Sequence, residues 1–330
     1  MSKITESSLL TSTRPLRRIG HGFCGSVWAN PDDEAGSVVK REDGGPGRSL
    51  ANDYEMHLRM LRLHSRAQIN VPCQPVFVDP SHPFWDDALA NFPPGYTACN
   101  GLISERIPAM PRASRNLLIS KYCAALLRDQ ISQDENNEDC IIRLYLGRRR
   151  RAGVSASRFT AFTHRNHPLN ADQMEEMNLD LPRYARAMAD SLALMHWTVG
   201  IDANDVEFVL APKRSTTFGE DCTLGGATCT QGELEEHALW ILDLDCCRSI
   251  SMDKEGMDRA VPAFYRNDPF YPRPGKGDAD VETWEAFREQ YLKRSQTLLR
   301  DRKTDIRDLP DYFVEQLILK VDDFKAGRHA

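Results

Sequence analysis

The chain has 330 residues, of which 41% are hydrophobic and 27% charged, and its net charge is −6 at pH 7. This composition is typical of a globular protein, and the length suits one two-lobed domain or two small ones. The acidic balance excludes a general electrostatic attraction to nucleic acid. Residues 1–18 are polar and lack an apolar stretch long enough for a signal peptide, and no apolar run is long enough to span a membrane. We therefore expect a cytoplasmic protein with no membrane partner.

The nine cysteines are scattered along the chain, and none belongs to a CxxC pair. Cys222 and Cys229 are seven residues apart, whereas Cys246 and Cys247 are adjacent. Structural zinc sites use pairs of ligands two to four residues apart, with a second pair elsewhere. We expect reduced thiols and no bound metal.

The N-terminal part of the chain has the pattern of a small, β-rich lobe. Residues 1–14 are predicted to be disordered and residues 15–110 to form the lobe. Strands are predicted on both sides of a glycine turn at 20–25, and at 36–40, 71–79 and 102–107. A helix is predicted over 52–64, because apolar residues recur there with helical spacing.

The remaining residues, 111–330, are predicted to form a larger, mainly helical lobe. Helices are expected at 115–130, 181–197, 282–300 and 311–325, and one strand at 238–244. Residues 213–233 are rich in Gly, Thr, Ser and Cys, which indicates a long surface insertion.

A glycine-rich turn is followed along the chain first by a lysine on a strand and then by a glutamate on a helix. Within residues 19–27, the stretch 20–27 fits the pattern G-x-G-x-x-G-x-V in full, with Gly20, Gly22 and Gly25 as the glycines. Glycine there lets the backbone approach phosphate oxygens without an intervening side chain. Lys40 ends the predicted strand at 36–40, and Glu55 lies on the next helix. Kinase-like folds place a phosphate-binding lysine and its glutamate partner in this order.

A group of carboxylates follows the helix predicted at 181–197. Asp202 precedes Glu207 by five residues, directly before an apolar strand, where kinases carry an aspartate and an asparagine. Asp205 lies between them, and Asp243 and Asp245 end the next strand, without the glycine that usually follows. Such carboxylates suit Mg²⁺ or a guanidinium group. The glutamate adds negative charge where phosphates would lie, which disfavours ordinary ATP chemistry.

These motifs predict the fold class and the site. We expect an α+β, two-lobed, protein-kinase-like fold, with a small β-rich N-lobe and a larger helical C-lobe. Three carboxylates are predicted to be catalytic: Asp202, Asp205 and Glu207. The predicted substrate-binding or nucleotide-binding residues are Gly20, Gly22, Gly25, Lys40, Glu55, Asp243 and Asp245.

A local basic run contrasts with the acidic net charge. It consists of Arg143, Arg148, Arg149, Arg150 and Arg151. These arginines form either a solvated surface or a contact with phosphates, which guanidinium groups bind in a bidentate manner. The second of these interpretations is a contact with the phosphate backbone of a nucleic acid.

Four stretches of the chain resemble a fungal protein family: 102–108 (LISERIP), 141–147 (IIRLYLG), 202–210 (DANDVEFVL) and 267–274 (NDPFYPRP). Members of that family, long known only as a domain of unknown function and often labelled zinc finger protein, are identified as arginine-containing cyclodipeptide synthases. The resemblance implies condensation of arginyl-tRNA with a second aminoacyl-tRNA to a cyclo(Arg-X) diketopiperazine in secondary-metabolite biosynthesis. It implies no cofactor, and it implies that the arginines of the basic run, Arg143 and Arg148 to Arg151, bind tRNA.

In such a synthase we expect Asp202 or Glu207 to accept the proton of the attacking amine. Asp205 or a neighbour would hold the guanidinium. No motif marks a nucleophilic serine, so a covalent intermediate is not implied. Two alternatives remain open: a kinase-like phosphotransferase using Mg²⁺ and ATP, and a pseudokinase that only binds a partner. The second amino acid, the oligomeric state and the ligand of the glycine loop, either ATP or the terminal adenosine of tRNA, also stay open.

Overall fold

The computed structural model describes residues 8–62, 69–150, 162–214, 229–230, 232–275 and 277–321. These residues form a mixed α+β structure with two separate sheets. The first sheet is antiparallel, with the strand order β1-β2-β3-β5-β4. Its strands are β1 (Arg17–His21), β2 (Ser26–Ala29), β3 (Ser37–Arg41), β4 (Val76–Val78) and β5 (Gly101–Glu105).

The second sheet has the strand order β7-β6-β8-β9. β6 pairs with β7 in parallel, and the other two pairings are antiparallel. β8 and β9 are almost entirely buried, which agrees with their continuous apolar sequence. The strands are β6 (Ile142–Tyr145), β7 (His167–Asn170), β8 (Glu207–Ala211) and β9 (Ala238–Leu242).

Most of the helices follow the first sheet in the chain. Two precede its last strand: α1 (Leu50–Leu61) and α2 (Phe84–Ala88). The others are α3 (Arg112–Tyr122), α4 (Arg128–Gln133), α5 (Ala171–Glu176), α6 (Leu181–Leu194), α7 (Lys254–Arg266), α8 (Asp278–Leu299), α9 (Thr304–Arg307) and α10 (Leu309–Leu319). α6 packs along α8, and α7 along α10. None of the described helices is long and apolar enough to cross a bilayer.

Of four apolar clusters among the described residues, the two largest support the two sheets. The larger one lies around the second sheet and its helices, and it also takes in Met56 and Met60 of α1. The smaller one lies on the first sheet, around Trp28, Trp85 and Phe92. α1 is therefore anchored in the core of the second sheet although it follows β3 in the chain.

Three important helices begin at side chains that satisfy their free backbone N–H groups. Ser49 accepts a hydrogen bond from Asn52 N at 3.2 Å at the start of α1. Asp180 caps α6 and Asp253 caps α7 in the same way. Such caps stabilise a helix by about 1 kcal/mol each.

The structure corrects several predicted boundaries. Residues 8–14 are not disordered: Leu9 is fully buried, and Arg14 Nε donates to Asp32 Oδ1 at 2.8 Å. The helix predicted at 115–130 is two helices, α3 and α4, because the backbone at Cys123 is extended. Residues 1–7, and most of the insertion predicted at 213–233, lie outside the described residues.

Candidate active site

A cleft with a volume of about 590 Å³ lies between the two sheets. The glycine turn between β1 and β2 and Lys40 on β3 line it from the first sheet. Asp205, Glu207 and Asp243 line it from the second sheet. The predicted glycine loop, lysine and carboxylates thus come together, although they lie about 200 residues apart in the chain.

Lys40 joins the two halves of the cleft. Its Nζ donates to Asp53 Oδ2 on α1 at 2.8 Å and also to Asp243 Oδ1. Burial alone would lower the pKa of Lys40, but Asp243 and Asp53 more than offset it and raise the pKa well above its usual value. Burial likewise acts to raise the pKa of Asp243, yet Lys40 holds it below its usual value. The pair is therefore charged at neutral pH.

The prediction that Glu55 pairs with Lys40 is wrong. Glu55 lies on the exposed side of α1, whereas Asp53 faces the cleft and is 4% exposed. The reason is the helical period, since Asp53, Met56 and Met60 share one face of the helix and Glu55 does not.

Glu207 is the carboxyl group whose environment is most unusual. Its Oε1 lies 2.7 Å from Arg143 Nη2, and only 12% of the Glu207 side chain is exposed. Burial first, and then the charge of Asp243, raise the pKa of Glu207 to about 8, although Arg143 acts to lower it. Among the described residues, Glu207 Oε2 finds no hydrogen-bond partner. Glu207 can therefore exchange a proton near neutral pH.

A second cation lies at the mouth of the cleft. Arg48 Nη1 donates to Asp205 Oδ2 at 2.5 Å and to both carboxylate oxygens of Asp245 at 3.2 Å. The side chain of Asp245 is fully buried, whereas that of Asp205 is 43% exposed. Burial and the nearby Asp243 raise the pKa of Asp245. Two of the predicted carboxylates thus already hold a guanidinium group.

Asp202, predicted as a possible base, supports the loop instead of lining the cleft. Its Oδ1 accepts hydrogen bonds from Arg248 N at 2.9 Å and from Asn204 N at 3.1 Å. The loop begins where a π-helical turn, Met195–Val199, ends at Gly200 with φ of 73°, a left-handed conformation that favours glycine. The base role of Asp202 has no geometric support, because its carboxylate is engaged with the backbone.

The backbone around the carboxylates is unusual. Ala203, Asp205 and Asp243 have positive φ values of 54°, 65° and 67°. Such conformations cost a non-glycine residue of order 1–3 kcal/mol and cluster at functional sites. The loop is therefore held in its shape by surrounding contacts, such as the backbone hydrogen bonds to Asp202.

The three predicted glycines have different environments. A Cβ atom on Gly25 would lie 2.0 Å from Arg41 O, so this glycine is required for packing against the segment after β3. A Cβ on Gly20 would make only ordinary contacts with Val27, and a Cβ on Gly22 would meet no atom within 4 Å. Gly22 therefore leaves room above the cleft, as expected of a loop that approaches a ligand.

The arginines predicted to bind tRNA are largely occupied by carboxylates. Arg143 points into the cleft and pairs with Glu207. Arg149 pairs with Glu175 and Asp280, Arg150 pairs with Asp172 and Glu176, and Arg148 lies 3.7 Å from Asp268. Arg151 lies outside the described residues. The sequence could not reveal these partners, since α5, which supplies three of them, begins only at Ala171, beyond the basic run in the chain.

One group of possible metal ligands occurs among the described residues: Asp205, Asp245 and Cys246. Arg48 already lies on its two carboxylates, so a cation would have to displace a guanidinium there. The described cysteines are free thiols.

Comparison with known proteins gives two matches. Residues 239–303 match a family model named DUF3669 and described as "Zinc finger protein", which covers less than half of the chain. No curated protein matches the chain. Among solved structures, a microcompartment-associated aminopropanol kinase is similar at 12% identity and a TM-score of 0.28, over 97% of this chain and 88% of that one.

The matched family model corrects the family predicted from the sequence. It is described as a zinc finger protein, and no match is a cyclodipeptide synthase, so that family prediction is wrong. The residues present do not fit zinc either. Residues 239–303 contain two cysteines, which are adjacent, and no histidine, whereas a structural zinc ion takes four ligands of these types.

Three residues of the site were missed by the sequence interpretation: Asp53, Arg48 and the cleft-facing Arg143. Asp53 can be identified from the sequence, because it lies three residues before Met56, on the helical stripe that contains Met56 and Met60. No sequence signal identifies Arg48, which lies in a polar, glycine-rich segment. Arg143 was assigned to the basic run by its neighbours in sequence, although β6 carries it to β8.

Proposed function

We propose that this chain is an enzyme that transfers an activated acyl group to the amine of a cationic substrate. In specific terms, it would act as an arginine-containing cyclodipeptide synthase that condenses arginyl-tRNA with a second aminoacyl-tRNA to cyclo(Arg-X). The observation that carries the proposal is Glu207, a largely buried carboxyl group with a pKa near 8, in a cleft where Asp205 holds a guanidinium. The proposal rests on this site and on no family relationship.

The chemistry needs one base and one cation near the reacting carbonyl. Glu207 would take a proton from the α-ammonium or the attacking amine of one aminoacyl group, which then forms a C–N bond with the ester carbonyl of the other. Arg143, 2.7 Å from Glu207, would stabilise the oxyanion of the tetrahedral intermediate. The ester C–O bond breaks, and the proton returns to the ribose oxygen of the departing tRNA. A second aminolysis within the dipeptidyl ester closes the ring.

The cleft is large enough for such a reaction. Its volume of about 590 Å³ lies in the range of sites for small ligands, about 300–1,000 Å³. No cofactor is required, because the ester is already activated. The tRNA partner is proposed from the chemistry of the acyl donor, since the described arginines of the basic run are occupied by carboxylates. A cytoplasmic site of action follows from the use of charged tRNA.

We also infer that the two sheets correspond to the lobes of a protein-kinase-like fold. The glycine turn, Lys40 and Asp243 support this inference, because they meet in the order and the arrangement of a nucleotide cleft. The same contacts favour a second candidate function, a phosphotransferase using Mg²⁺ and ATP. Asp243 and Asp205 would be the metal ligands in that case. Glu207 opposes it, because kinases carry a neutral asparagine there.

The experiment is expression of the full chain in a bacterial host, which supplies every charged tRNA, followed by mass spectrometry of the extract. We expect a new cyclo(Arg-X) ion that is lost in Glu207→Gln and retained in the exposed control Glu55→Gln. A clean extract from folded, soluble protein would overturn the proposal. Binding of Mg-ATP with release of ADP would then establish the phosphotransferase, and binding of neither substrate would favour a pseudokinase.

A further inference from the structure

We propose that Arg48 is a latch that holds the glycine loop (residues 20–25) over the cleft, and that a guanidinium group of the substrate releases it by taking Asp205 and Asp245. The identity of the substrate rests on the proposed function. The latch itself rests on contacts between the segment that carries Arg48, the loop and the second sheet.

The glycine loop and the segment after β3 form one unit. Gly44 N donates to Cys24 O at 3.1 Å, and Gly45 N donates to Phe23 O at 2.9 Å. A Cβ on Gly44 would lie 2.3 Å from Phe23 O, so the two backbones approach too closely for any other residue. Asp43 Oδ1 adds a hydrogen bond from Ser26 N at 2.8 Å. Movement of either piece therefore moves the other.

Arg48 ties this unit to the opposite side of the cleft. Its guanidinium contacts Asp205 and Asp245, which belong to the loops before β8 and after β9. Phe23, at the tip of the glycine loop, lies over the same guanidinium, with its ring centre 5.7 Å from Arg48 Cζ. The residue Phe23 is 81% exposed, so Arg48 is placed to hold an otherwise open ring.

A carboxylate pair and an aromatic ring together make a complete guanidinium site. One guanidinium fills it, so Arg48 and an arginyl substrate compete for it. The substrate cannot bind while Arg48 occupies the site. Its apparent affinity is therefore the intrinsic affinity multiplied by the fraction of time that the site is free. When the substrate takes the carboxylates, the unit that carries Arg48 loses its tie to the second sheet. Lys40 cannot replace that tie, because it holds β3 and not the loop.

The first experiment measures calorimetric binding of L-arginine amide to the full chain. We expect Arg48→Ala to bind it about 10-fold more tightly than the original chain does. Citrulline amide, the uncharged analogue, should bind both proteins equally and weakly. Arg62→Ala, which removes an exposed charge just after α1, should leave the affinity unchanged. Equal or weaker binding by Arg48→Ala would overturn the latch.

A second measurement follows the loop itself by hydrogen exchange at Gly22 N, which donates to Gly25 O at 2.8 Å. Exchange should become faster in Arg48→Ala and in the original chain saturated with arginine amide. Arg48→Lys keeps the charge without the planar fork, so its exchange rate should lie between that of the original chain without ligand and that of Arg48→Ala. It also replaces Arg48→Ala if that variant does not fold. Unchanged exchange in all of them would contradict the coupling.

The latch and the proposed function can fail separately. Tighter binding by Arg48→Ala without any cyclodipeptide in cells would leave the guanidinium site intact and remove the synthase. A cyclo(Arg-X) product with no effect of Arg48→Ala on the affinity would keep the synthase and remove the latch.

Discussion

Two sets of ion pairs in this molecule involve residues that the sequence marked as functional, and they differ in burial. Lys40 and Arg143 in the cleft pair with carboxylates that are at most 28% exposed. Arg149 and Arg150 on the basic run pair mainly with carboxylates that are 24–50% exposed, the exception being Asp280. Both sets satisfy their charges within the chain, so ion pairing alone does not identify a site.

As a group the cleft pairs are more buried, although Arg149–Asp280, at 24% and 13% exposed, is as buried as Arg143–Glu207 at 26% and 12%. Charges removed from water interact strongly, and they shift the pKa of Glu207 upward and that of Asp243 downward. Exposed pairs are screened by solvent, and each contributes about 0–1 kcal/mol to stability. The cleft can therefore carry proton-transfer chemistry, and Arg149 and Arg150 contribute mainly to local surface structure.

The largest expected effect on activity comes from replacing Glu207, the proposed proton acceptor. We expect Glu207→Gln to reduce formation of cyclo(Arg-X) by at least about 100-fold, because an amide cannot take the proton of the amine. The rate of the original chain should rise with pH up to about 8, where Glu207 becomes ionised. Product yields and pH profiles measured with purified charged tRNAs check both statements. Full activity of the variant would show that Glu207 is not the base.

The buried pair of Lys40 should also matter for stability. Asp53→Ala removes one of the two carboxylates of Lys40, and we expect a loss of about 3 kcal/mol in the free energy of unfolding. Glu55→Ala, two residues away on the exposed side of α1, should change it by less than about 0.5 kcal/mol. Urea denaturation of both variants gives the comparison. Equal effects would mean that α1 is not oriented as described.

The pH dependence of stability gives a smaller effect with a definite sign. The pKa of Glu207 is raised from 4.5 to about 8 in the folded protein. Between these values the folded chain binds more protons than the unfolded chain, so this group makes the protein less stable as pH rises. Glu207→Gln lacks the titration, and its stability relative to the original chain should improve across this window by on the order of 1–3 kcal/mol.

Urea denaturation of both proteins at pH 5 and pH 9 measures the difference. Asp243 has a lowered pKa, so the stability that it contributes is lost as pH falls further, and it is present in both proteins. A constant difference between the two proteins would show that the pKa of Glu207 is not raised.

The smallest effects should come from the basic run. Arg150→Ala should cost about 1 kcal/mol or less, because Asp172 and Glu176 are partly exposed to solvent. Arg149→Ala should cost slightly more, because it also removes the partner of Asp280, which is only 13% exposed. Neither should alter the formation of cyclo(Arg-X) at low salt. A strong, salt-dependent loss of charged-tRNA binding in either variant would restore the predicted tRNA-binding role and erase the contrast between the two sets.

Sequence patterns were most informative where a local rule applies. The strands around the glycine turn, the helices α6 and α8 and the apolar strands β8 and β9 follow from periodicity and flanking turns. The order of glycine loop, lysine and acidic strand end led to residues that do line one cleft. The error at Glu55 arose from matching a motif by position instead of by helical face. The assignment of Arg143 to a surface failed because strand pairing is a long-range property.

The sequence by itself determined the α+β class and the carboxylates available for chemistry, because both depend on residue type and short-range periodicity. Only the tertiary structure decided which charged side chains form pairs with one another. Asp202 became a support for its loop, Glu207 a buried carboxyl group beside Arg143, and Arg48 an occupant of Asp205 and Asp245. The reason is physical: ion pairs and pKa values depend on distance and burial, and both are set by contacts between segments far apart in the chain.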